Sequence, residues 1–249
     1  MKREIMVVTA AYGQQQVKAA GGQQGLLPVI AQAGADGVEI RRELLSADEL
    51  LNLTDLGKAI AQHQLIAFYS VPEALFMADG SLNPQLDQRV AEARQLNAQL
   101  LKFSLGNYCR GFDCQALQQR LAALPLHVVV ENDQTECGKR QALQDFFADC
   151  AAARMPNSMT FDMANWLWVG DDPRAAADNL GRFVSYIHIK AAAPHHDSFR
   201  AIALDEADGT WRDLLKLLPA NAPRGIEFPL AGDDLVAVTR HYVNLLREE

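Results

Sequence analysis

Eight short apolar, β-branched runs recur along the chain, each followed by a segment of helical period. That alternation is what most limits the folds open to it. The runs cover residues 5–12, 37–42, 65–71, 100–105, 127–132, 158–163, 184–190 and 225–229. Helix signals fall between them. Ser46-Ala-Asp-Glu49 reads as a capping box opening a helix to about His63, and Pro84 suits the first turn of a helix over 83–99. Asp172-Pro173 opens a helix before the seventh run, and residues 233–247 would form the closing one. Gly34-Ala-Asp-Gly37 and Ala222-Pro-Arg-Gly225 mark helix-to-strand junctions. No linker or low-complexity stretch interrupts the series. Eight strand–helix units in 249 residues predict one α/β domain over 1–249, a parallel eight-stranded (β/α)8 TIM barrel. An open doubly wound sheet is the competing architecture. It would carry a glycine-rich loop after an early strand, whereas Gly21-Gly22 lies in a glutamine-rich stretch without G-x-G-x-x-G spacing.

Charge and composition narrow the partners. A net charge of −8 without a basic stripe argues against nucleic acid. The apolar run after Met1-Lys2-Arg3-Glu4 is too short for the core of a signal peptide, and no later run is long enough for a membrane span, so a cytoplasmic, membrane-free protein is expected. Cys109, Cys114, Cys137 and Cys150 lack paired zinc spacing and are expected to be reduced.

In parallel barrels the chemistry sits where strands run out into the following loops. Four successive strand ends each carry one metal-type ligand: Glu131 in Val128-Val-Val-Glu131, Asp162 in Met159-Thr-Phe-Asp162, His188 in Tyr186-Ile-His188, and Glu227 in Gly225-Ile-Glu227. Each has large apolar neighbours and is expected to be at least partly buried. Three acids and an imidazole at one mouth would repel one another without a cation. A divalent ion resolves that conflict, and three oxygens with one nitrogen suit Mn²⁺, Mg²⁺ or Co²⁺ better than a structural zinc. Each residue also has a plainer reading: Glu131 paired with a lysine, Asp162 capping the loop after it, His188 a satisfied core histidine, Glu227 paired with Arg41 or Arg42.

With this ordered Glu, Asp, His, Glu series, the chain resembles the xylose isomerase-like barrel superfamily, the sugar phosphate isomerase/epimerase group. The likeness runs from Gly34-Ala-Asp-Gly-Val-Glu39 to the closing helix and includes Asp205-Glu-Ala-Asp-Gly-Thr-Trp211. It implies that Glu131, Asp162, His188 and Glu227 hold one divalent metal, with Mn²⁺ or Mg²⁺ favoured and Co²⁺ or Zn²⁺ admissible. It also implies that Glu131 and Glu227 form an acid/base pair moving a proton beside a carbonyl, through a metal-stabilised enediolate. The partner would be a small-molecule carbohydrate: a sugar, sugar acid or keto-polyol. Self-association into a homo-oligomer is compatible with the resemblance. Two departures stand out. Asn165 occupies the place of a substrate-contacting histidine, and Ala191-Ala192-Ala193 follows the strand-seven His-x-Lys where relatives often have Asp. A second metal is therefore not expected, nor is the substrate of the best-known epimerases.

Other mouth residues join the candidates for substrate binding. Glu39 and Arg41 follow the second strand, where an arginine can grip an anion bidentately or join a surface cluster with Glu43. Lys102 and Lys190 end strands four and seven and could polarise a substrate oxygen or balance the acids, with balancing favoured for Lys102. Trp166, beside Trp168, could wall a sugar's C–H face, and Arg200 is the chosen basic contact in the loop after strand seven. A dehydratase on the same scaffold and a sugar- or metal-binding barrel without turnover remain the alternative functions. A DNA-repair nuclease is excluded by the acidic charge and the scarcity of histidines.

Overall fold

The computed structural model describes residues 3–154 and 158–249; Met1 and Lys2, the start of the N-terminal tetrapeptide discussed above, lie outside the described residues. The strands are β1 (Ile5–Val8), β2 (Gly37–Arg41), β3 (Ile66–Phe76), β4 (Leu100–Gly106), β5 (His127–Glu131), β6 (Met159–Asp162), β7 (Val184–Ile189), β8 (Ala191–His195), β9 (Ser198–Ile202) and β10 (Arg224–Ile226). Eight of them close into a barrel in the order β1-β2-β3-β4-β5-β6-β7-β10, every pairing parallel. This is the expected (β/α)8 barrel.

Alternation along the strands divides the core in two. Met6, Phe68, Leu100, Val129 and Tyr186 point into the barrel and plug its floor. Residues such as Val7, Val38, Ile40, Phe103, Phe161 and Ile187 belong to the larger core shared with the helices. On the helix Leu53–Gln62 the buried set Leu53, Leu56, Gly57 and Ile60 has the spacing of one helical face. Each large aliphatic side chain so buried contributes about 1.5–3 kcal/mol.

The helix signals hold with adjustments. Ser46 and Glu49 form both bonds of the capping box, but the helix stops at Leu51 and restarts at Leu53, because Asn52 leaves helical geometry (φ −122°, ψ 37°). Asp172 caps the helix Pro173–Leu180, and Asp234 caps the closing helix Leu235–Glu248. The first strand is shorter than expected: after Val8 the chain turns into a 3-10 segment, Thr9–Tyr12, where the Thr9 hydroxyl bonds Gln23 and the carbonyl of Glu39. The segment after β7, read from sequence as a polar loop, is an antiparallel hairpin of β8 and β9. Among the described residues, no helix is long and apolar enough to cross a membrane.

Candidate metal and active site

Parallel register brings the four ligand-type residues to one depth. Asp162 pairs directly with His188 across β6 and β7, and His188 pairs with Gly225, two residues before Glu227. Glu131 pairs with Thr160, two residues before Asp162. Side chains two apart on a strand share a face, so the stagger leaves all four facing inward at the mouth. Gly225 is required here: a Cβ would overlap the Tyr186 hydroxyl and come within 3.0 Å of the His188 ring.

One donor atom from each of Glu131, Asp162, His188 and Glu227 lies within 4.8 Å of the others. The plainer readings of these residues are also realised, each through only part of the side chain. Glu131 accepts from Lys102 Nζ through Oε2 (2.6 Å), leaving Oε1 2.7 Å from His188 Nδ1. Glu227 accepts from Arg41 through Oε1 (2.6 Å), leaving Oε2 3.0 Å from the same Nδ1. Asp162 Oδ1 caps the next turn by accepting from the amides of Ala164 and Asn165 (2.9 Å each), while Oδ2 lies 3.2 Å from Lys190 Nζ. His188 bonds Glu39 Oε2 through Nε2 (2.7 Å). One atom per residue fixes its orientation, and the other is turned toward a common point.

That point fits a cation. Nδ1 of His188 and Oε1 of Glu131 are buried, and apart from their contacts with each other and with Glu227 neither has a hydrogen-bond partner. A hard divalent ion with ligands at about 2.1 Å sets neighbouring donor atoms about 3 Å apart and opposite ones about 4 Å apart. The separations of 2.7 and 3.0 Å at His188 Nδ1 match the nearer value and the whole set lies within 4.8 Å, so the cluster can coordinate a divalent metal ion. Electrostatics agree. His188 is drawn well above its ordinary pKa because Glu227 and Glu39 overcome the effect of its burial. Burial, with Glu227 and Glu131 nearby, pushes the Asp162 carboxyl up to about 7 despite Lys190. Glu39 is buried too, but His188 and Lys102 outweigh that and hold it down at about 2. The carboxylates around His188 thus favour positive charge at this position.

No protein-family model matches the sequence, and no curated protein matches it. Solved structures do match in fold. A probable 3-DHS dehydratase from Bacillus anthracis, involved in petrobactin synthesis, aligns over 98% of both chains at 10% identity with a TM-score of 0.69. A D-allulose 3-epimerase from Methylomonas sp. aligns over 100% of this chain and 98% of that one, at 12% identity and TM-score 0.66. A xylose isomerase domain containing protein from Salmonella typhimurium LT2 gives the same coverage and identity with a TM-score of 0.70. The chain shares its barrel fold with these xylose isomerase-like proteins.

Within this barrel, the remaining candidates separate. Arg41, Lys190 and Glu227 meet in a mouth cavity of about 360 Å³, walled by Tyr12, Phe228 and Leu230. Lys102 is buried between Glu131 and Glu39 (2.6 and 3.5 Å), in the balancing position favoured from sequence. Glu39 is wholly buried behind His188 and bonded to it, out of reach of a ligand in the mouth. Asn165 is engaged throughout: its Oδ1 accepts from Gln134 and Lys190, and its Nδ2 donates to Asn132 O. Trp166 is a correction. It is fully buried against Phe161, so it packs beneath the loop and cannot wall a substrate. Of the two tryptophans Trp168 is the one beside Lys190, its ring 5.8 Å from Nζ and in contact with Phe199. Arg200 is exposed on β9, in the hairpin. A second cavity, of about 530 Å³, adjoins β8 and is lined by Ala191, Ile202 and Trp211; of the charged site residues only Lys190 reaches it.

Sequence reasoning missed the amide side chains that brace the strand ends, Asn132 and Gln23. Asn132 carried a signal, a polar residue directly after Glu131 at the end of an all-valine run.

Proposed function

We propose that this protein is a divalent-metal-dependent isomerase or epimerase of a small sugar, sugar acid or keto-polyol. The observation that carries the reading is the convergence on one point of four donor atoms, each on a side chain whose other polar atom is already anchored. Glu131, Asp162, His188 and Glu227 would hold the metal, Mn²⁺ or Mg²⁺ by the hardness of three carboxylates. When bound, such an ion supplies the electrophile that polarises a carbonyl and stabilises a developing enediolate.

The protein's own groups supply the rest. Glu131 and Glu227 approach from β5 and from just beyond β10, on different sides of the mouth. A substrate carbon between them would lose a proton to one carboxylate and regain it from the other. Burial disfavours the charge on Glu227, but His188 and Lys190 hold its pKa well below the ordinary value, so the carboxylate is kept ionised. Lys190, over the mouth and 3.2–3.5 Å from Asp162 and Glu227, is placed to steady negative charge on a substrate oxygen. Arg41 fixes the Glu227 carboxylate from the other side. Tyr12, Phe228 and Leu230 offer an apolar wall to the C–H face of a sugar and exclude water.

Metal content and solvent exchange test the reading together. Purified protein should hold about one divalent ion per chain. In D₂O it should place deuterium on a ketose carbon beside the carbonyl, observed by NMR, and Glu227→Gln should abolish that exchange while folding normally. A conjugated, ultraviolet-absorbing product would instead make the chain a dehydratase. A wild-type protein that binds no divalent ion and exchanges no proton would overturn the proposal.

A further inference from the structure

The four donor atoms sit on separate strand ends, where the barrel's ladder of backbone hydrogen bonds runs out. β5 and β6 pair only through Val130↔Met159 and Glu131↔Thr160, so the peptide groups of Asp162 face a neighbour that has ended. The side chain of Asn132 takes the place of the missing strand. Its Oδ1 accepts from the Asp162 amide (2.9 Å), and its Nδ2 donates to the Asp162 carbonyl (3.0 Å). Its own carbonyl accepts from Asn165 Nδ2 (3.0 Å), and Asn165 Oδ1 accepts from Lys190 at the end of β7 (3.2 Å). Asn132 is completely buried and directly follows Glu131.

We infer that Asn132 is a positioning residue that sets the spacing of Glu131 and Asp162 and thereby the divalent-metal affinity of the cluster. The inference rests on the metal reading above. A backbone amide pair held in extended geometry leaves the Asp162 side chain one arc of movement. The amides of Ala164 and Asn165 then close that arc by holding Oδ1, so Oδ2 is delivered to a fixed place relative to Glu131. Without the Asn132 amide, the buried N–H and C=O of Asp162 lose their partners, and the loop must shift to resatisfy them. Groups that orient metal ligands in this way typically carry 10–100-fold of metal affinity.

Asn83 is the matched control. It too is a buried asparagine whose side chain bonds the backbone on both sides, to Ala74 O and from Gln85 N, but it braces the exit of β3 and touches no ligand-type residue. Calorimetric titration with Mn²⁺ should show Asn132→Ala weakened about 10–100-fold and Asn83→Ala within about twofold of wild type, while both lower the metal-free Tm. The visible bands of bound Co²⁺ should move in Asn132→Ala and stay put in Asn83→Ala. Should Asn132→Ala fail to fold, Asn132→Asp carries the comparison: it keeps the acceptor for the Asp162 amide, loses the donor, and should weaken Mn²⁺ by about tenfold. Mn²⁺ binding within twofold of wild type in the folded Asn132 variants, or equal weakening in Asn83→Ala, overturns the inference while leaving the metal reading intact. Failure of the wild-type chain to bind Mn²⁺, Mg²⁺ or Co²⁺ overturns both.

Discussion

Two clusters of buried charge lie on neighbouring parts of this barrel, and they are built on opposite principles. Between β3 and the helix Leu86–Gln95, Glu92 is saturated. Its Oε1 accepts from Arg89 and Arg42, and its Oε2 from Arg42 and Tyr69, all between 2.7 and 3.2 Å. At the mouth, Glu131, Asp162, His188 and Glu227 each have one atom anchored and one turned inward, and two of the inward atoms have no hydrogen-bond partner outside the set. Burial of charge is common to both clusters. Each leaves some capacity over, a single Glu73 oxygen beside Arg89 in the first, but of the two only the mouth brings several such atoms to one point. A saturated carboxylate binds two pieces of the fold together; a half-saturated set is built to receive something else.

The contrast breaks most sharply at Asp162. Asp162→Ala removes one of four ligands and should weaken Mn²⁺ about 10²–10³-fold, an even share of the binding free energy of four-ligand sites. Metal per chain after dialysis reads this directly, and an unchanged content would erase the distinction between the clusters. Glu92→Ala should do the reverse. It leaves Arg89 to Glu73 and Gln85 alone and takes the acceptor from the buried Tyr69 hydroxyl, so it should cost about 1–3 kcal/mol of stability while leaving Mn²⁺ affinity within about twofold. Chemical denaturation and titration of the same sample measure both, and weakened metal binding would show that the two clusters are one network.

Glu39 sharpens the comparison because it belongs to both designs. It is wholly buried and ion-paired like Glu92, yet it bonds the back of an inward-facing ligand. Glu39→Gln keeps an acceptor for His188 Nε2–H but loses the charge, and should weaken Mn²⁺ about tenfold. Affinity equal to wild type would return Glu39 to a purely structural role.

How far such distinctions could be read from sequence depends on where the information lies. The barrel was legible because strand and helix periods are local, and because eight inward-facing runs leave few closures. The ligand quartet was legible because an acid at the end of an apolar strand, as in Val128-Val-Val-Glu131, is conspicuous within a few residues. The role of Glu39 was not. Its partner lies 149 positions away on β7, and nothing near Glu39 shows whether it faces the mouth or the back of His188. Trp166 failed for a related reason: Trp166 and Trp168 stand two residues apart on a short helical turn, and only packing decides which is swallowed by Phe161. The hairpin escaped because Ala191-Ala-Ala-Pro194 carries no β-branched signal. Its pairing is set by Ser198–Ile202 across a turn in which His196 takes a left-handed φ of 51°.

That hairpin also supplies the smallest expected effect. Sequence reasoning made Arg200 a substrate contact, but the structure leaves it exposed on β9, paired by backbone to Ala193, while Ala201 and not Arg200 lines the mouth cavity. Successive residues of a strand face opposite sides, so a strand that turns Ala201 to the mouth turns Arg200 away from it. Arg200→Ala should therefore change KM for an accepted ketose by less than about twofold, the range of an exposed surface charge. A tenfold rise in KM would show that the hairpin rotates on binding and carries Arg200 over the mouth. The boundary between the half-saturated cluster and the rest of the surface would then shift outward to include β9.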